Sequence, residues 1–219
     1  MPSLDTLREE NMPEVYVASF CEEGDSLSQW RGYCPDGTGV AIGFHSSALQ
    51  DPGSWTTRIE MQTSKRGYRV ESGFYKCLYM KDEKQQIIND LADLYLQIDS
   101  KGDQKNYNNE SFQTFLTLLG LCGPLFKHES FKDEKEWRLI VKCFSFDNPK
   151  RHFRKGRSTL VPYIKINILD KYKTNYVKTV TTGPTPEEGL ADRAVKRLLL
   201  SRELEAATVE HSTVPYRSW

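Results

Sequence analysis

Glu134–Phe146 (EKEWRLIVKCFSF) is the stretch that decides the fold class. Its second half is dense in β-branched and aromatic side chains, which suit a pleated, half-buried surface, so it reads as a strand. Two helical stretches precede it. Asp82–Ile98 carries Ile87, Ile88, Leu91, Leu94, Tyr95 and Ile98 at intervals of three and four, the repeat of a one-sided helix. Phe112–Cys122 is apolar on most faces and ends at Gly123-Pro124. The polar stretch Ser100–Glu110 (SKGDQKNYNNE) links the two.

Working outward, strands recur on both sides. Upstream lie Glu14–Cys21 (EVYVASFC) and Gly39–Phe44 (GVAIGF), the second expected to be buried because polar alternation is missing. Between them, Ser26–Gln29 has the S-x-x-Q form of a capping box. A short helix should follow, carrying Leu27, Trp30 and Arg31 and ending near Tyr33 or Cys34, before Pro35 and the Asp36-Gly37 turn. A strand is expected near Arg58–Gln62, and Tyr68–Tyr79 looks extended. Downstream, Arg151–Arg154 and Thr159–Ile168 form the arms of a hairpin turning at Lys155-Gly156-Arg157. Tyr176–Thr182 is a further strand stopped by Gly183-Pro184. Pro186–Arg202 is a helix, capped by Thr182 or Thr185, with Ala194, Val195, Leu198 and Leu199 as its apolar stripe. Thr208–His211 closes the series. Strands open and close the chain with helices between. This is an α+β arrangement: one domain over residues 1–219, with a mixed, mostly antiparallel sheet and a helical insert at about 82–122.

Composition bounds the function. Thirty Lys plus Arg balance thirty Asp plus Glu, which excludes a globally basic nucleic-acid binder. Mean hydropathy is −0.61, and no apolar run approaches the roughly 18–20 residues of a membrane span, so no membrane partner is expected. The opening MPSLDTLREEN has neither a basic nor an apolar leader region. Cys21, Cys34, Cys77, Cys122 and Cys143 are odd in number and form no CxxC, which fits reduced thiols in a cytoplasmic protein and predicts no metal site.

Four segments can carry chemistry. If residues 134–141 are extended, Lys135, Trp137, Leu139 and Val141 share one face, and Glu134, Glu136 and Arg138 share the other at about 7 Å spacing. That row is either an exposed, ion-paired polar face or the wall of a cleft in which one Glu stabilises a developing cation. The second segment is Lys150–Arg157 (KRHFRKGR), a positive lobe within a neutral chain. Its Lys150, Arg151, Arg154, Lys155 and Arg157 can bind phosphate, a dinucleotide or nucleic acid, or form a solvated hairpin tip. The third is Ser19–Gly43, whose glycines form neither GxGxxG nor a P-loop. Its Trp30 and Tyr33 either pack a core or stack on a ligand. The fourth is Lys127-His128-Glu129, where His128 is a candidate acid or binding residue.

At these residues the chain resembles a known family. SFCEEGDSLSQWRGYCPDGTGVAIGF (Ser19–Phe44) is similar to the N-terminal signature of a bacterial family catalogued as domain of unknown function 2971. Asp25, Leu27, Trp30, Tyr33 and Gly39–Phe44 match, and Cys21 stands where the family mostly has Ser. KHESFKDEKEWRLI (Lys127–Ile140), FRKGRSTLVPYIKI (Phe153–Ile166) and two blocks within Val180–Trp219 resemble its later signatures. Against that family form, the chain is expected to lack a Tyr-rich strand and an N-D-P-x-E stretch upstream. More remotely, an early strand, a W-x-x-Y helix and a late E-x-E strand are similar to the layout of ADP-ribosyltransferases. That likeness implies NAD as substrate, Glu136 as the catalytic carboxylate and Glu134 as its helper. It also implies Ser19, Trp30, Arg31, Tyr33, His128, Arg138 and Arg154 as dinucleotide-binding residues. A nucleic-acid-directed effector and a non-enzymatic interaction module remain open beside it.

Overall fold

The computed structural model describes residues 14–34, 38–45, 70–101, 110–143, 151–165 and 176–215. The expected strand near Arg58–Gln62, the Asp36-Gly37 turn, most of the Ser100–Glu110 link and Lys150 lie outside these residues. The fold is α+β, with elements in the order β1 (Glu14–Cys21), α1 (Leu27–Tyr33), β2 (Val40–Phe44), β3 (Val70–Lys76), α2 (Lys81–Lys101), α3 (Glu110–Cys122), β4 (Glu136–Cys143), β5 (His152–Lys155), β6 (Leu160–Tyr163), β7 (Val177–Thr182), α4 (Glu188–Ser201) and β8 (Thr208–His211). Among the described residues the strands form three small sheets, β1-β4-β3, β2-β7-β8 and β5-β6. The chain divides into two compact units, Met1–Phe20 with Ile59–Ile166 and Cys21–Arg58 with Asn167–Trp219.

In the first unit β4 is the central strand, and Leu139, Ile140, Val141, Lys142 and Cys143 are buried in succession. Both its faces are covered, which is why its apolar run does not alternate. β3 pairs antiparallel with it, setting Phe74 opposite Leu139 and Lys76 opposite Trp137. Trp137 stacks on Phe74 at 5.2 Å, and Phe20 of β1 meets Phe74 edge-on at 5.5 Å. A Cβ on Gly120 of α3 would lie 3.8 Å from both Lys142 Cε and Val15 Cγ2, so that helix approaches the sheet closely there. α2 and α3 meet through Tyr95 and Phe115, 5.4 Å apart.

The strand begins two residues later than its sequence pattern suggests. Glu129–Glu134 is a 3-10 helix, and Lys135 terminates it in the left-handed region at φ 43°, donating its N–H to Lys132 O. This polar run has no β-branched residue to favour extension. Glu134 and Lys135 therefore do not belong to the two alternating faces expected of them. A β-branched side chain is strained at positive φ, whereas glycine is not. Lys135→Ile should be less stable than Lys135→Gly by about 1–2 kcal/mol, read as a difference in urea midpoints. Both variants remove the lysine side chain, so the comparison isolates the backbone.

β5 and β6 pair antiparallel, with His152 opposite Tyr163 and Lys155 opposite Leu160. The turn closes where expected. Gly156 N–H donates to Thr159 O at 2.9 Å, and a Cβ on Gly156 would come within 2.7 Å of that oxygen.

In the second unit β2 pairs antiparallel with β7, and β8 pairs parallel with β7. α4 makes the crossover, so β7-α4-β8 is one βαβ unit. Val177, Val180, Leu199 and Ala207 form the core, with Phe44, Val195, Leu204 and Val209 against it. The expected stripe on α4 is narrower than its sequence suggests: Val195 and Leu199 pack inward, while Ala194 and Leu198 face out. β2 is an edge strand with Val40 and Ile42 exposed, rather than the buried strand that GVAIGF suggested. The expected caps also differ. Ser26 is the N-cap of α1, but its hydroxyl pairs with Ser28 Oγ at 3.0 Å and caps nothing. The N-cap of α4 is Glu187, whose N–H is taken by Thr185 Oγ1 at 3.3 Å.

Candidate functional site

The site grows from the first turn of β4. Glu136 is only 5% exposed, and its backbone is fixed first: its N–H donates to Tyr79 Oη at 2.8 Å, and its carbonyl accepts from Cys77 N–H at 2.9 Å. Its carboxylate then collects donors from several elements. Arg138, two residues on and so on the same side of the strand, reaches Oε1 through Nε at 2.8 Å and Oε2 through Nη2 at 3.2 Å. Lys127 Nζ bridges Glu136 Oε2 and Glu134 Oε2. Ser19, on the neighbouring strand β1, also favours the charged carboxylate.

Each partner is itself held. Arg138 Nη1 donates to Pro124 O. Lys127 N–H donates to Leu78 O at 3.0 Å, and Lys127 O accepts from Lys84 Nζ at 2.5 Å. Two cations thus meet two carboxylates in a mostly buried cluster. Burial alone would raise the Glu136 pKa, but the bonds from Arg138 and Lys127, with Ser19 adding to them, outweigh it and bring it down to about 2. Burial likewise opposes the charge on Lys127, yet its bonds to Glu134 and Glu136 hold its pKa above the ordinary lysine value. Burial also pushes up the neighbouring Cys77 thiol, and the Glu136 charge adds to it. The arrangement keeps a carboxylate ionised, oriented and largely dehydrated at neutral pH.

Of the residues singled out in sequence, Ser19, Glu134, Glu136 and Arg138 come together here. Glu134 arrives from the 3-10 helix rather than from the strand. His128 is exposed, and its Nδ1 accepts the Ser130 N–H at 3.2 Å as the cap of that helix. Arg154 is exposed on the hairpin. Arg151 is turned onto Glu14, which also accepts from Tyr16 Oη at 2.6 Å.

Trp30, Arg31 and Tyr33 belong to the second unit. Tyr33 is 77% exposed, whereas Trp30 is buried at 3% and donates Nε1–H to Asp25 Oδ1 at 2.7 Å. At the carboxyl ends of the parallel strands, Thr182 Oγ1 lies 2.9 Å from Asp192 Oδ1 and 2.8 Å from His211 Nδ1. His211 Nε2 lies 3.3 Å from Glu188 Oε1. This hydroxyl–imidazole–carboxylate series has its hydroxyl fully buried, so it bolts β7, α4 and β8 together. Among the described residues, no group of three or more His, Cys, Asp or Glu is placed to hold a metal ion, and no helix is long and apolar enough to cross a membrane. None of the five cysteines forms a disulfide.

No local pattern marks Lys127, Tyr79 or Asp25 as site residues. Lys127 stands beside His128 in the KHESF stretch, and its ammonium, not the imidazole, reaches the carboxylates. A family model described as "Protein of unknown function (DUF2971)" matches residues 29–139, about half of the chain. No curated protein and no solved structure matches it.

Proposed function

The chain belongs to the DUF2971 family, and on that premise we propose that its Ser19–Glu136 site acts on NAD, transferring or hydrolysing ADP-ribose. One observation carries the reading: the early serine and the late glutamate, 117 positions apart in sequence, are brought onto neighbouring strands by the pairing of β1 with β4, where Ser19 favours the charge on Glu136. Breaking the nicotinamide N-glycosidic bond sends the bonding pair out with nicotinamide and leaves an oxocarbenium-like ribose. An ionised carboxylate in a poorly hydrated site stabilises such a cation far better than one in water. In this role Glu136 faces the ribose, Ser19 and Arg138 orient it, and Glu134 takes the proton of the attacking hydroxyl or water as it bonds to C1′. Arg138 is spent on Glu136 and Pro124 O, so its part is orientation of the carboxylate rather than pyrophosphate binding.

The test is nicotinamide release from NAD by the full chain, with NAD titration followed by ligand-observed NMR. Wild type should bind and release. Ser19→Ala should lower release at least 10-fold, the size of effect of one lost positioning interaction of about 1.4 kcal/mol. Its melt should stay nearly unchanged, since Ser19 is exposed. Neither binding nor release by wild type would overturn the reading.

The completeness of the ion pairing favours a second reading. With Glu136 and Arg138 joined to each other, the E-x-E-W-R block serves as scaffold of a non-enzymatic binding module. Intact melts with no NAD response would select it.

A further inference from the structure

The β5-β6 hairpin stands outside the proposed chemistry. Residues 151–165 (RHFRKGRSTLVPYIK) contain five Lys or Arg and no Asp or Glu. The register sorts the side chains. His152, Arg154, Val161 and Tyr163 share one face, and Phe153, Lys155, Leu160 and Pro162 share the other. The first face is partly covered, with Val161 and Tyr163 half-buried and His152 stacked on Tyr163 at 5.4 Å. The second face is exposed throughout: Phe153 is 58% and Leu160 65% exposed, and Lys155 and Pro162 lie beside them. Arg157 is exposed at the turn.

We propose that this hairpin is a binding ribbon for single-stranded nucleic acid, with Phe153 as a base-stacking platform, Lys155 and Arg157 on the phosphates beside it, and Arg154 on a phosphate that wraps round the ribbon edge to the other face. The observation behind it is independent of the NAD reading. Besides the Glu14-paired Arg151, the segment carries four cations and no carboxylate of its own, which complements a polyanion. An exposed aromatic ring among those cations adds what an unstacked base offers, a free π-face. In a duplex the bases are already stacked on one another, and Phe153 would have none to meet. A lipid surface is less well matched, because the apolar part of the face is only Phe153, Leu160 and Pro162.

The experiment is fluorescence anisotropy of labelled U12 and dT12 with the full chain, run beside a 12-base-pair duplex and phosphatidylserine vesicles. Single strands should bind, with log affinity falling against log salt at a slope of about −2, the value for three phosphate contacts. Phe153→Ala should weaken binding roughly 5- to 100-fold, as for loss of one stacked base, and Phe153→Trp should restore it. Arg154→Glu with Arg157→Glu should weaken it at least 10-fold, while Lys196→Glu on the other unit's helix leaves it unchanged. Circular dichroism checks that each variant folds, and the tryptophan variant keeps the test valid if the alanine variant does not. Preference for U12 or for dT12 would identify the strand as RNA or DNA. Salt-independent binding, equal binding by the charge-reversed variant, binding of vesicles alone, or no binding at low salt would each overturn the assignment.

Discussion

Glu136→Gln should cost the chain about 3–5 kcal/mol at neutral pH, the loss expected when one member of a buried ion cluster is neutralised and its partners stay behind. Arg138 would retain its guanidinium between Pro124 O and an amide, and Lys127 would keep Glu134 as its carboxylate partner. The same residue sets an acid dependence. Its carboxyl lies at about 2 in the folded chain against an ordinary 4.5, because the bonds from Arg138 and Lys127, with Ser19 adding to them, outweigh the opposing effect of burial. A depressed carboxyl pKa stabilises the fold above the unfolded value and loses that contribution as pH falls through the folded one. Between pH 5 and pH 2 the wild-type chain should therefore lose about 3 kcal/mol that the variant has already lost. Urea midpoints measured down that pH range give the comparison. Parallel curves for the two proteins would remove Glu136 from the role described. This result also decides how NAD turnover is judged: a Glu136 variant loses stability whether or not the residue is catalytic, so Ser19→Ala is the cleaner probe.

Much of the fold is legible because local chemistry and tertiary placement agree. Glu14–Cys21, Tyr176–Thr182 and Thr208–His211 have strand composition and become β1, β7 and β8 within a residue. The helices at Lys81–Lys101 and Glu110–Cys122 form where their apolar content predicts, although Ile88 and Leu94 of the first are exposed. The misreadings have a common physical cause: alternation says which side chains share a face, but not what lies over that face. Val40 and Ile42 look like core residues, yet β2 is an edge strand and both are exposed. Lys142 has a surface residue's chemistry and is fully buried, because β4 is central. Glu134 keeps its place in the site although it leaves the strand, since Lys127 draws it back to Glu136. That bridge joins residues whose meeting no periodicity announces. The pairing of Ser19 with Glu136 is likewise a product of strand order, β1 beside β4, which no local pattern encodes.

Asp25→Ala should destabilise the second unit by about 3 kcal/mol or more, summed from charge-assisted hydrogen bonds of about 1.5–3 kcal/mol each with partial rescue by water. Asp25 sits in the turn between β1 and α1, and its carboxylate gathers donors 5 to 188 positions away. Oδ1 accepts from Trp30 Nε1–H at 2.7 Å and from Ser212 Oγ, and Oδ2 accepts from Thr213 N–H at 2.8 Å and Thr213 Oγ1 at 3.0 Å. Burial pushes its pKa up, but the bonds from Ser212, Trp30 and Thr213 prevail and hold it below the ordinary aspartate value. Alanine would leave the indole N–H of a nearly fully buried tryptophan without an acceptor, and would release the segment after β8 that this carboxylate ties to α1. Asparagine distinguishes charge from geometry. Its carbonyl can still serve one side of the clamp, but its NH2 would face the Thr213 N–H, donor against donor. Asp25→Asn should therefore fall between wild type and Asp25→Ala in thermal melting, with tryptophan emission shifted to the red in both as Trp30 gains water. An unshifted emission and an unchanged melt in the alanine variant would show that water replaces the carboxylate at no cost, and the D-x-x-x-x-W spacing of the first block would lose its structural reason.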